Sequence, residues 1–294
     1  MTVSYKDNAV RPVTLNKYYL VQRKLRELAP DLHMNELDRQ SYQRILNLYA
    51  QNHEKTTTLD FHHHLKASLF DAVDDGLLKA DPTRRAIIKG CSPSDKKPKY
   101  LNLFDLQTLL RSLNLREELN WDWFFYLIAK TGLRFAEALA LTPEDFDFEK
   151  QSIIINKSWN YKEKQGHFQP TKNESSNRTV MVDWQLMQQF QVMINNKEFD
   201  QPIFFSKDQR IYNSTLNQKL ALLCKNNDIP VISIHGLRHT HASLLLYEGV
   251  SIASVTKRLG HNNTTTTQEI YIHIIRELEN KDNDKILHHL SQLT

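Results

Sequence analysis

The segment KGCSPSDKKPKY, residues 89–100, gathers glycine, proline, serine and lysine without hydrophobic periodicity, and it separates two stretches that are both periodic. At 294 residues the chain is longer than a single core usually organises. A break at this place therefore predicts two domains, 1–97 and 98–294, each with its own core and with the aperiodic segment as the tether.

Before the break the chain reads as helices. Residues 14–29 place Leu15, Tyr18, Tyr19, Val21, Leu25 and Leu28 at helical spacing, with Thr14 as the expected N-cap and Pro30 beyond the end. Residues 36–51 repeat the pattern through Leu37, Tyr42, Ile45, Leu46 and Tyr49, and 56–76 gives a third helix that stops at Gly76. After the break come helices at about 103–113 and 119–130. Two β-branched runs follow, 152–159 and 178–183, with a polar loop or hairpin between them, and then further helices. The expected fold class is mainly α with a small antiparallel β-sheet.

Charge is divided unevenly along this frame. Residues 1–97 hold sixteen Lys and Arg against twelve Asp and Glu, whereas 98–294 hold twenty-two of each, so the whole net charge of +4 lies in the first third. A positive excess there favours a polyanionic partner. No uninterrupted apolar stretch approaches twenty residues and the polar N-terminus has no signal-peptide core, so the sequence predicts no membrane span and a cytoplasmic location. Cys91 and Cys224 match no metal or redox spacing. His62, His63 and His64, like His288 and His289, are consecutive and lack the spacing of a closed ligand set, so no metal is expected.

Chemistry concentrates in the second part. In IHGLRHTHAS, His235 and Arg238 are three residues apart and share a helix face, and His241 extends the same stripe. A guanidinium fork suits two oxygens of one phosphate, and a neighbouring imidazole adds a hydrogen bond. The run TGLRFAEALAL offers Arg134 just after a helix-ending Gly132, with Glu137 one turn later to hold its guanidinium. Lys172 lies in a loop before the RTVMV strand, and Lys157, Lys162 and Lys164 are its competitors for any role that needs an ammonium. RLGHNNTTTTQEIYIHI puts a helix end at Gly260, then His261, and Tyr271 ten residues later.

Each of these elements is ordinary alone. Their order and spacing together resemble the catalytic set of the tyrosine recombinase, or phage integrase, family, and the motifs HTHAS and LGHNNTTTTQEIYIHI look most like integrases of phages and conjugative transposons of Gram-positive bacteria. The resemblance covers nearly the whole chain. It implies a helical, SAM-like core-binding domain that binds DNA, ending at ADPTRR, followed by a catalytic domain. It implies Tyr271 as the nucleophile, Arg134 and Arg238 as phosphate clamps and Lys172 as the acid that protonates the leaving 5′ oxygen. His235 would be the base or acceptor for the phenol, His261 a further donor, and Glu137 the support behind Arg134. Cations alone would then neutralise the phosphorane, with no metal or other cofactor and no ATP.

The implied partners are double-stranded DNA attachment sites, with a homotetramer assembled on two of them through exchanged C-terminal segments. A directionality or host DNA-bending factor is also compatible. Members of that subgroup carry a small arm-binding domain ahead of the core-binding helices. Here about ten residues precede the first helix, which leaves both a short form and a longer parent protein open. Two rivals follow from the same residues. ASLLLYEGVSIASVTKRLGH can be read as the helix-turn-helix of a non-catalytic regulator, and a type IB topoisomerase would use a similar residue set to relax supercoils.

Overall fold

The computed structural model describes residues 9–10, 12–92, 98–163, 165–262 and 268. Tyr271 and the segment after it lie outside the described residues. The chain divides into two compact units, Met1–Lys96 and Lys97–Thr294.

The first unit holds three helices, α1 (Pro12–Leu28), α2 (Arg39–Ala50) and α3 (Lys55–Asp74). Two boundaries differ from the periodicity. α1 begins at Pro12, so Thr14 lies inside the helix and is not its cap. α2 begins three residues later than expected, because the Asp38 carboxylate accepts from Ser41 N at 2.7 Å while Asp38 N donates to the Ser41 hydroxyl at 2.8 Å, a reciprocal cap that fixes the start. Tyr42, Ile45 and Leu46 of α2 meet Phe61, Leu65 and Leu69 of α3 in a core of their own. Within it the Tyr42 hydroxyl and His62 Nδ1 are 2.8 Å apart, so His62 is engaged by the core.

The expected tether begins later than its composition suggests. Cys91 N donates to His53 O at 3.0 Å, and Glu54 and Cys91 form a parallel bridge. Gly90 runs so close to the start of α3 that a Cβ there would lie 2.1 Å from Lys55 N. Residues 89–92 are thus part of the first unit. Residues 93–97 lie outside the described residues.

The second unit opens with α4 (Leu103–Ser112), α5 (Trp121–Thr131) and the short α6 (Phe135–Leu139). Five strands follow: β1 (Phe146–Asp147), β2 (Ser152–Ile155), β3 (Lys157–Trp159), β4 (Phe168–Pro170) and β5 (Arg178–Met181). It closes with α7 (Trp184–Ile194), α8 (Asn213–Asn226), α9 (Ile234–Tyr247) and α10 (Ile252–Leu259). The run 152–159 is two strands rather than one. β2 lies between β1 and β5 in an antiparallel sheet with Ile153 opposite Val180, whereas β3 pairs with β4 as a separate antiparallel hairpin. The switch falls at exposed Asn156, between buried Ile155 and the β3 residues Ser158 and Trp159 that are buried against other neighbours. A mainly helical fold with small antiparallel sheets is what the sequence predicts.

α5 is the central helix. Phe124, Phe125, Leu127 and Ile128 expose at most 1% of their surface, and the burial continues around the helix, as befits one packed on every side. Each such side chain contributes about 1.5–3 kcal/mol relative to an exposed one. Asn120 caps the first turn by accepting from Asp122 N and Trp123 N. Gly132 ends the helix in the left-handed conformation, φ 70°. α9 packs directly on α5, and α10 packs on α9 through Ala242, Leu246, Val255 and Leu259.

Gly132 is required twice over, by its φ and by space. A Cβ there would lie 2.7 Å from His241 Cδ2 and 2.8 Å from Leu259 Cδ2, where α9 and α10 meet the turn. Gly132→Ala is expected to cost about 2 kcal/mol or more in urea unfolding, from backbone strain plus overpacking. Gly249→Ala is the control, since φ is +83° there with nothing within 4 Å, and it should cost only the strain. Equal losses in the two variants would contradict this account.

Candidate functional site

Four arginines converge where the turn after α5, the start of β5 and the end of α10 meet. The last residues of a helix leave carbonyls without intrahelical partners, and the macrodipole makes that end negative. α10 ends at Gly260, φ 65°, and three successive carbonyls there are each taken by a different guanidinium. Arg178 Nε donates to Arg258 O at 2.7 Å, Arg238 Nη2 to Leu259 O at 2.7 Å, and Arg134 Nη2 to Gly260 O at 2.7 Å. Arg238 Nη1 also donates to Gly132 O at 2.6 Å, so one guanidinium bridges the ends of α5 and α10.

Glu137 is the carboxylate at the centre. Its side chain is almost fully buried, with Oε1 2.6 Å from Arg134 Nη1 and Oε2 2.9 Å from Arg178 Nη2. Oε2 also accepts from Arg134 N at 2.9 Å and so caps α6. Burial alone would raise this carboxyl. The hydrogen bond from Arg178 and the charges of Arg178 and Arg134 outweigh it and hold the pKa at about 2. Arg238 is 2% exposed; burial and the charge of Arg134 lower its pKa to about 9, which leaves it charged at neutral pH.

The imidazoles divide into two kinds. His235 and His261 belong to the cationic cluster and are held neutral. The protein packed around His261, then Arg238 and Arg134, lowers its pKa to about 4. His235 is exposed to solvent, yet the protein packed around it, followed by His239, Arg238 and Arg134, brings it to about 4 as well. His241 is not part of the stripe expected from its spacing. Three residues advance a helix face by 300°, so over six residues the side chain falls roughly 120° from His235. His241 therefore points into the core, where Nδ1 lies 3.0 Å from Ala129 O and Nε2 accepts from Arg258 Nε at 2.9 Å. Burial and the charge of Arg258 push it to about 3.

Lys172 is exposed in the loop between β4 and β5. Ser176 of the same loop accepts from Arg134 Nη1 at 3.2 Å, and Ser175 donates to Asn262, next to His261, so the loop that carries Lys172 borders the cluster. Its competitor Lys157 is committed elsewhere, with Nζ donating to Thr142 Oγ1, Glu144 and Asp145 at 2.8–2.9 Å. Lys162 lies at the tip of the β3–β4 hairpin, and Lys164 is outside the described residues. Arg134, Glu137, His235, Arg238 and His261 are thus brought together, and Tyr271 lies outside the described residues.

Sequence reasoning missed Arg178, Arg258 and His239. Arg178 sits at the head of a run read only for its β-branched residues, and Arg258 in a helix read only for its turn. His239, whose ring centroid is 4.6 Å from that of His235, lies between two residues already chosen, and the i, i+4 spacing could have pointed to it.

Comparison with known proteins gives a consistent picture. A sequence profile described as the Phage integrase family matches residues 99–277. The chain is similar to the ICEBs1 integrase of Bacillus subtilis, 27% identical over 232 residues that make up 75% of this chain and 62% of that protein. It is also similar to the integrase of Staphylococcus phage L54a, 30% identical over 52% of this chain and 49% of that protein. The transposase from transposon Tn916 of Enterococcus faecalis is 24% identical over 74% and 58%. The chain therefore spans from about half to just under two thirds of the length of these relatives. In fold it resembles the Tn1549 transposon integrase in complex with a circular intermediate DNA, with a TM-score of 0.73 and 17% identity over 95% of this chain and 98% of that one. A lambda integrase dimer bound to a core site gives a TM-score of 0.61 and 14% identity over 89% and 72%.

The neutral histidines set a pH dependence. A histidine with an ordinary pKa of 6.5 when unfolded, held at about 3 or 4 when folded, binds a proton in the unfolded chain that the native state refuses. Their contribution is complete above pH 6.5 and is lost as pH falls from there towards 4 and 3. Glu137 acts in a lower window, complete above its ordinary 4.5 and lost as pH falls towards about 2. Stability by urea unfolding should therefore fall between pH 7 and pH 5 before any carboxylate takes part. His241→Gln should make that fall shallower by about one proton; an unchanged slope would show that His241 titrates normally in the native state.

Proposed function

The chain belongs to the phage integrase family, and from that premise we propose that it is a site-specific DNA strand transferase that cleaves and rejoins DNA through a 3′-phosphotyrosine, integrating or excising a mobile element. The observation that carries the reading is the pair Arg134 and Arg238, two charged guanidiniums pinned side by side by carbonyls at the end of α10.

A guanidinium has five N–H donors. Among the described residues Arg238 gives one from each Nη to a backbone carbonyl, which leaves its Nε and one hydrogen on each Nη for a phosphate. The forks are already oriented, and no reorganisation is required when charge develops on the nonbridging oxygens. Tyr271 attacks the scissile phosphorus through its phenolic oxygen, the bond to the 5′ oxygen breaks, and the phosphate stays joined to the tyrosine at its 3′ side. The phenolic proton passes to His235, which is neutral at pH 7 and can accept it. Lys172 supplies the proton that the departing 5′ oxygen takes up. His261, also neutral, donates its N–H to the phosphate. Attack by a 5′ hydroxyl from another strand reverses each step, so the bond energy is kept and no ATP is consumed.

A regulator built on α9, its turn and α10 accounts for less. α9 and α10 do pack as two successive helices, but a regulator has no use for the buried and costly Arg238 or for two arginines paired to one buried carboxylate beside it. Double-stranded DNA at attachment sites is the partner. Four protomers act on two such sites, the first unit with its positive excess binds DNA, and the reaction takes place in the cytoplasm. Among the described residues no helix is long and apolar enough to cross a membrane.

Two substitutions test the assignment. Tyr271→Phe removes one oxygen, so DNA binding should persist while the SDS-resistant covalent adduct on a nicked suicide duplex disappears; an adduct that survives would reassign the nucleophile. Lys172→Ala should lose about 100-fold or more in cleavage rate. It should regain most of that rate on DNA with a 5′-bridging phosphorothiolate, whose sulfur leaves without a proton. Rescue seen with Lys162→Ala or Lys164→Ala instead would move the role to that lysine.

A further inference from the structure

We propose that Arg178 is a positioning residue for strand cleavage: it locks the C-terminal turn of α10 to Glu137, so that Arg134 and His261 meet the same phosphate. This rests on the strand-transferase reading above.

Arg178 touches the three pieces that have to be in register. Nε donates to Arg258 O in the last turn of α10, Nη1 to Ser176 O at 2.8 Å in the loop that carries Lys172, and Nη2 to Glu137 Oε2 at 2.9 Å on α6. Its side chain is 5% exposed, so it lies beneath the cluster and works through its neighbours. Gly260, one residue before His261, rests directly on it: a Cβ there would come within 3.1 Å of both Arg178 Cδ and Nη1. Glu137 then passes the constraint on, because the carboxylate that Arg178 fixes is the one that orients Arg134 through both its side chain and its backbone N–H.

Lysine could supply the charge but not the geometry. Its ammonium is a point charge on a flexible stem, whereas the planar guanidinium holds three acceptors on three different elements at once. The charges that face Glu137 are Arg134 at the start of α6, Arg178 on β5 and, through space, Arg238 on α9. Arg178 supplies the largest part of what counters burial at that carboxyl. Removing the fork therefore loosens the turn and makes Glu137 easier to protonate.

The experiment compares wild type, Arg178→Lys, Arg178→Gln, Glu137→Gln and the double variant Arg178→Lys with Glu137→Gln. The probe is a nicked duplex carrying the chromosomal sequence that flanks the gene. Gel shift gives affinity, and single-turnover adduct formation from pH 5 to 8.5 gives the cleavage rate. Expected for Arg178→Lys is affinity within about twofold of wild type and a cleavage rate lower by about 100-fold, the scale of a small misplacement of reacting groups. Wild type should show no acid limb within this range, because Glu137 is held at about 2; a limb should enter it in Arg178→Lys, further in Arg178→Gln, and the double variant should match Glu137→Gln alone. An unchanged rate would overturn the proposal. So would equal losses of rate and affinity with a lowered melting temperature and no acid limb within this range, the mark of a brace that only stabilises. Absence of any adduct with wild-type protein would sink the strand-transferase reading and this proposal with it, whereas a wild-type adduct with an unaffected Arg178→Lys variant would sink the proposal alone.

Discussion

The site depends on one helix end. α10 is eight residues long, too short to be stable in isolation, and it ends in a left-handed glycine that exposes its last carbonyls. Three of those carbonyls in succession face three guanidiniums delivered from β5, α9 and the turn after α5. The helix end gains hydrogen bonds that its own backbone cannot make, and the arginines gain fixed directions. Neither half is stable without the other, since a buried guanidinium lacking acceptors and a buried carbonyl lacking donors both carry desolvation penalties.

Charge balance then limits what the cluster can accept. Arg134, Arg178, Arg238 and Arg258 crowd one region with Glu137 as the carboxylate among them, and the carbonyls offset the excess only in part. Burial first and then the charges of Arg238 and Arg134 hold His235 and His261 neutral there, and burial with Arg258 does the same to core-facing His241. Such a region is short of negative charge, and a phosphate entering it meets fixed donors. Neutral imidazoles are the useful form here, because each retains one acceptor nitrogen and one N–H, whereas an imidazolium could only donate.

How much of this was legible in the sequence varies with the kind of information. Local rules read well: helix periodicity located α2 and α3, and Gly132 and Gly260 were recognisable as helix ends because only a glycine adopts that conformation without cost. The grouping of Arg134, Glu137, Arg238 and the two histidines was readable through the family resemblance that their order and spacing carry. What could not be read was the direction of a side chain within its element. His241 looked like a continuation of the His235 and Arg238 stripe until the 3.6-residue pitch carried it into the core. Arg178 was hidden for the complementary reason. A strand of β-branched residues gives no local sign that its first arginine will be buried, because its acceptors lie 41 residues before it on α6 and 80 residues after it on α10. Partners at that separation are set by topology, which one sequence does not display.

The same topology explains why Gly132 stands two residues before Arg134. Ending α5 with an ordinary residue would need either an αR continuation, which carries Arg134 away round the helix, or a left-handed Cβ in collision with His241 and Leu259. A glycine lets α9 and α10 close over the turn, and its carbonyl becomes the second anchor of Arg238. The chain then has room for one residue, buried Leu133, before Arg134 takes an extended conformation at φ −72°, ψ 150° and opens α6 with Glu137 as its reciprocal cap. Placing the arginine, capping the helix and burying the carboxylate are thus a single structural event, so a change at Gly132 reaches both Arg134 and Arg238 without touching either.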